Sequence, residues 1–183
     1  MAKEGFRRNS QNFVIETSES WGIINFQKSL HSSANEKRFT VNLAIAAKRI
    51  LRFGGETDQK PPLYYACHWR IRIGNLVPGR GDRWWTLTDE ASYKTALPEV
   101  EELIKGKAVL LVTNHLSDER LLALWDENVG GFGCPMLKCK SILLAERGWS
   151  RAPYFQSETI LWAPTSVKSA CFILFEAPLK VLY

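Results

Sequence analysis

An α+β fold, with a mainly antiparallel sheet in the N-terminal half packed on one face by helices from the C-terminal half, is predicted by two features of the chain. Three stretches before residue 75 alternate apolar and polar side chains with period two, and beyond residue 87 the periodicity becomes helical. The size suits one such unit, since 183 residues that are 45% hydrophobic can enclose a single core. The expected layout is one domain over residues 1–158 followed by an atypical extension over 159–183.

Residues 5–9 read as a lead-in, and Phe13, Val14 and Ile15 open the strand pattern. The first clear alternation covers residues 21–28, where Ile24 and Phe26 share one face while Asn25 and Gln27 share the other. A polar loop follows. Next, Phe39, Val41, Leu43 and Ile45 alternate with Thr40, Asn42 and Ala44, a second half-buried strand. Residues 51–62, with Gly54-Gly55 and Pro61-Pro62, read as a mobile connection. A third strand over 67–74 sets Cys67, Trp69, Ile71 and Ile73 against His68, Arg70 and Arg72. Turn residues 78–82 end it, and 82–87 fit one more short strand.

Helical spacing then takes over. Pro98 suits a first helical turn, Glu99, Glu101 and Glu102 complement its positive end, and Val100, Leu103 and Ile104 form an apolar stripe. The run 107–113 permits either a helix or a strand. Ser117 with Asp118 and Glu119 is an N-cap signal for a helix carrying Leu121, Leu122, Leu124 and Trp125. A last helix is expected from about Pro135 to Gly148, with Met136, Leu137, Leu143 and Leu144 toward the core. The tail, with two prolines and the apolar cluster 171–175, lacks a helical stripe. It is expected to dock on the domain or pair with a sheet edge, with self-association as the alternative for so uncharged a segment.

Several function classes are disfavoured. The net charge of +5 is compatible with acidic partners, but the basic residues are scattered, unlike the clustered stripe of a nucleic-acid binder. Four cysteines are too few for a disulfide scaffold, and residues 1–5 lack the apolar stretch of a signal peptide, so a cytoplasmic setting is expected. Cys134 and Cys139 have neither zinc nor redox spacing, and no metal and no cofactor is expected. No run of about 20 apolar residues suggests a membrane helix.

If the three strands share a sheet, Asn25, Gln27, Thr40, Asn42, His68, Arg70 and Arg72 emerge together on the face away from the helices. Amide groups and two guanidinium forks there suit carboxylates or phosphates, and a solvated face with cross-strand polar pairs is the plain alternative. Arg83, Trp84 and Trp85 form a secondary candidate, because arginine and tryptophan are enriched at protein interfaces and also stack on unpaired bases. An enzyme is the third reading: nucleophile-elbow, phosphate-loop and zinc-protease motifs are absent, which leaves His68 as a general base with Asp58 or Asp82.

The 5–8 lead-in, the strand 21–29, Phe39-Thr40-Val41-Asn42-Leu43, Arg70-Ile71-Arg72-Ile73-Gly74 and Asp82-Arg83-Trp84-Trp85 together resemble the bacterial family called domain of unknown function 4304. The resemblance covers the first half, extends loosely through the helices to about Gly148 and leaves out the tail. It implies a small bacterial cytoplasmic domain of this fold and carries no activity with it. Members of that family usually begin with a helix before the Gly-Phe pair, where this chain has only residues 1–4, so the C-terminal segment is expected to cover the surface such a helix would occupy. The reading reached from sequence is therefore a non-enzymatic interaction protein that binds a protein partner, by analogy an immunity-type one. The alternative is an anion or single-stranded nucleic-acid binder.

Overall fold

The computed structural model describes residues 1–79, 81–127 and 136–146. It shows the α+β architecture: among the described residues, an antiparallel sheet of six strands in the N-terminal half, interrupted by one short helix, and helices in the C-terminal half. The strands are β1 (Arg7–Asn9), β2 (Asn12–Glu16), β3 (Ser20–Lys28), β4 (Lys37–Ala47), β5 (Trp69–Arg72) and β6 (Trp85–Leu87). They run β1-β2-β3-β4-β5 across the sheet, and β6 pairs with β4 at residues 37–39, beyond the end of β5. The lead-in thus contributes an edge strand, and its exposed Arg7 and Arg8 discourage edge-to-edge pairing.

Among the described residues the α-helices are α1 (Lys48–Phe53), α2 (Glu90–Leu103), α3 (Val109–Asn114), α4 (Asp118–Asp126) and α5 (Met136–Glu146). Three sequence expectations about the helices need correction. Residues 51–62 are not all connection, because α1 takes the first part; Lys48, Ile50 and Leu51 bury one side of this short helix. The helix expected to open at Pro98 opens at Glu90, where Asp89 and Ser92 form a reciprocal capping box: the Ser92 N–H donates to Asp89 Oδ1 at 2.8 Å and the Asp89 N–H to Ser92 Oγ at 3.0 Å. Pro98 therefore lies inside α2. It and Lys94 are exposed, so the carbonyl deprived of its helical partner faces water. Leu137, expected in the core, is exposed, while Cys139, Ile142 and Leu143 of α5 are buried.

The run 107–113 is helical. One wide π turn, Ile104–Ala108, joins α2 to α3 and holds Ile104, Ala108, Val109 and Val112 on the core side. Ser117 caps α4 as expected, accepting from the Arg120 N–H at 3.3 Å. The C-terminal extension 159–183 and the end of the last helix near Gly148 lie outside the described residues.

The main core sits between the helices and one sheet face. Ile24, Leu43, Ile45, Trp69 and Ile71 supply the sheet side, and Val100, Val112, Leu121, Trp125 and Leu143 the helical side. Gly22 marks the closest approach. A Cβ there would lie 2.5 Å from Val112 Cγ1 and 2.8 Å from both Ile15 Cγ2 and Leu116 Cδ2, so α3 rests on the sheet only because that position has no side chain.

The opposite face is not wholly polar. Val14, Trp21, Ile23, Ala44 and Ala46 make a second apolar cluster there, closed by Leu51, Cys67 and partly buried Tyr64. Cys67 thus belongs to this cluster and not to the set with Trp69, Ile71 and Ile73. The alternation predicted for 67–74 holds only through β5, since Cys67 ends the 3-10 turn Tyr64–Ala66 and Ile73 begins another.

Candidate binding face

Strand register aligns the polar residues into a row. Asn9 pairs with Asn12, Asn12 with Asn25, Asn25 with Asn42, and Asn42 with Arg72, so one line crosses five strands. Gln27 and Thr40 form the next pair along. The hairpin between β1 and β2 fixes this register through the two residues Ser10 and Gln11, with Ser10 in the left-handed region at φ 54°.

Within the row the side-chain amides bond to one another. Asn25 Nδ2 donates to Asn12 Oδ1 at 2.7 Å, and Asn42 Nδ2 donates to Asn25 Oδ1 at 3.0 Å and to Gln27 Oε1 at 2.9 Å. Gln27 Oε1 also accepts from the Tyr64 hydroxyl at 3.0 Å, which ties the turn Tyr64–Ala66 down over the strands. Thr40 Oγ1 donates to the Arg83 carbonyl at 2.6 Å, fastening the segment before β6. Covered from both sides, Asn25, Thr40 and Asn42 are buried. Each donor so enclosed needs its partner, because an unmet buried polar group is costly.

His68 is buried as well. Its Nδ1 accepts the Ala47 N–H at 3.0 Å, which requires an unprotonated Nδ1, and desolvation pushes the imidazole down to about 4. The carboxylates considered as its helpers are engaged elsewhere: Asp58 accepts from Arg52 at 2.5 Å and from Gln59 at 2.8 Å, and Asp82 binds Arg72.

Strand register puts Asn25, Gln27, Thr40, Asn42, Arg70 and Arg72 on one side of the sheet, with His68 just ahead of β5, and access divides the seven. Asn25, Thr40, Asn42 and His68 are buried, whereas Gln27, Arg70 and Arg72 are half-buried and reach the surface. Arg72 forms an ion pair with Asp82, and its guanidinium carbon lies 5.3 Å from the Trp84 ring centre. Partial burial raises the Asp82 carboxyl, but hydrogen bonds from Arg72 and Trp84 together with the Arg72 charge outweigh it and hold the group below its ordinary range.

The secondary candidates separate. Trp85 is buried and stacks on Phe39 at 5.4 Å, with its Nε1 donating to Glu99 Oε2 at 3.0 Å; Arg83 pairs with the same carboxylate. Trp84, facing the other way, is half-buried at the rim beside Arg72.

Sequence reasoning missed Asn12, Tyr64, Tyr65 and Leu63. Asn12 was legible only through the hairpin register. The other three lie in a segment without periodicity, yet Tyr65 is 59% and Leu63 is 60% exposed beside Tyr64, whose ring meets Tyr65 edge-on at 5.9 Å. A second depression, of about 590 Å³, is lined by Gly5, Arg7, Glu16, Thr17, Ser18 and Lys48. Its charges satisfy one another: Glu16 accepts from Lys48 at 2.7 Å and from Arg7 at 3.1 Å, and Lys48 lies 4.8 Å from the Trp21 ring centre. Among the described residues no three His, Cys, Asp or Glu side chains gather as metal ligands, and no helix is long and apolar enough to cross a membrane.

The class defined by these features is a small α+β domain with a helix-covered sheet face and, on its other face, an internally bonded amide row rimmed by aromatic and arginine side chains. A family model described as Domain of unknown function (DUF4304) matches residues 1–114, from the N-terminus through α3. The chain belongs to that family. No curated protein and no solved structure matches it.

Proposed function

We propose that this domain is a non-enzymatic binding module that holds a protein partner carrying acidic groups against the rim of the covered sheet face. The observation that supports this reading is a connected path from one part of the rim to another through buried Asn42: Tyr65 touches Tyr64, Tyr64 is bonded to Gln27, Gln27 to Asn42, Asn42 is in register with Arg72, and Arg72 lies over Trp84. Exposed tyrosine and leucine beside half-buried arginine and tryptophan is the composition of an interface centre. The amide row beneath holds these anchors in place, so little ordering is needed on association. Arg70 and Arg72 are the groups that would meet carboxylates, Arg72 while still tethered by Asp82. A bacterial cytoplasmic setting and an immunity-type role belong to the same reading, supported by the sparse cysteines and by analogy alone.

A single-stranded nucleic-acid or anion ligand is the second reading, favoured by the Arg72–Trp84 pair, since arginine beside an indole can stack on a base. Charge reversal at Arg70 and Arg72 and the single change Tyr65→Ala separate the two. The protein reading expects a stoichiometric partner captured by the wild type and weakened at least about tenfold by Tyr65→Ala, an effect of hot-spot size. Salt-sensitive retention on single-stranded RNA or DNA that the charge reversal abolishes, with no partner lost on Tyr65→Ala, overturns it in favour of the second.

A further inference from the structure

On the helix side of the sheet, an apolar groove of about 210 Å³ opens between α2 and the strand ends, lined by Phe26, Phe39, Leu87, Tyr93, Leu97 and Val100. Phe13 extends it, its ring edge-on to Phe26 at 5.8 Å, and Phe26 and Phe39 stack at 6.3 Å. Phe13, Phe26 and Phe39 remain only half-buried here, and Tyr93 and Leu97, one helical turn apart, are 50% and 39% exposed on the groove wall. A fully formed sheet face ordinarily buries such a row of rings, and none of the described residues fills the groove.

We propose that residues 170–175 of this same chain, Ala-Cys-Phe-Ile-Leu-Phe, are that occupant. Three arguments point to the chain's own segment over a separate molecule. The first is size: stable association of independent proteins takes about 1,200–2,000 Å² of buried surface, which a groove accepting a few side chains does not offer. A tethered segment needs far less, because its effective concentration is already in the millimolar range. The second is reach. Twenty-three residues separate Glu146 from Ala170, enough to span roughly 75 Å when extended, while β4, with eleven residues, covers about 37 Å of sheet. The third is chemistry, since these six residues with two phenylalanines, set with Ser169 between Lys168 and Glu176 in an uncharged run, match a groove walled by rings and aliphatic groups.

Cys171 makes the test direct. In the full chain, Leu97→Cys places a thiol on the groove wall, and Leu110→Cys, on exposed α3 surface, is the control. Under mild oxidation, with linked peptides mapped by mass spectrometry, the first variant is expected to form an intramolecular disulfide to Cys171 at least about tenfold faster than the control, at a rate independent of protein concentration. Equal rates in the two variants overturn the proposal. So does a link that forms only between molecules, which would identify a second copy as the occupant. This result is independent of the binding face, which lies on the other side of the sheet.

Discussion

His68 binds the Ala47 N–H through an unprotonated ring nitrogen in a desolvated site, so the folded protein resists protonating it until about pH 4, whereas an exposed histidine takes up its proton near pH 6.5. The sign follows: between those values the unfolded chain binds more protons, so this contribution is intact above about pH 6.5 and is lost as pH falls toward 4. From about pH 7.5 to about pH 5 the loss is roughly 2 kcal/mol. Urea unfolding at the two pH values should show it, and His68→Gln should flatten the difference; equal pH dependence in both proteins would contradict the assignment. The same burial pushes the Cys67 thiol up to about 12, leaving it inert beneath Tyr64. Alternation singled out His68 but gave no sign of its depth, because a period-two pattern marks a side and not how far a residue is buried.

At the scale of elements, the contact between β3 and α3 decides how closely the helices approach the sheet. Gly22→Ala would insert a methyl group where Val112, Ile15 and Leu116 already meet, and Val112 is β-branched and slow to yield. Overpacking of this kind is expected to cost about 1–3 kcal/mol, read as a lowered urea midpoint with an unchanged denaturant slope. An unchanged midpoint would mean that α3 docks more loosely than described. Strands β3 and β4 were legible because Ile24 and Phe26 in the first, and Phe39, Val41, Leu43 and Ile45 in the second, alternate with polar or small residues. The start of α2 was misread because Pro98 and three glutamates imitate a first turn, while the true signal, Asp89 with Ser92, lies nine residues earlier. Residues 107–113 were ambiguous since an apolar run that enters through a wide turn has no face to mark it.

For the whole molecule, the two sheet faces have different tasks. One packs against helices, and its core draws on Leu121, Trp125 and Leu143 beyond the family match at residue 114, so α4 and α5 complete what the shared region begins. The other is held by the amide row and the cover from Tyr64 to Ala66, and only its rim meets solvent. Composition and alternation made this second face visible in the sequence, because Asn25, Asn42 and Arg72 share one row. The division into buried support and accessible rim was not legible, since it depends on which loop folds over which strand. That division is the central claim. It is tested by measuring partner capture and melting temperature together for Asn25→Leu, within the row, and Tyr65→Ala, on the rim. The account predicts that Asn25→Leu lowers the melting temperature and keeps the partner, while Tyr65→Ala keeps the melting temperature and loses it. Capture that survives Tyr65→Ala but fails in a still-folded Asn25→Leu would contradict it.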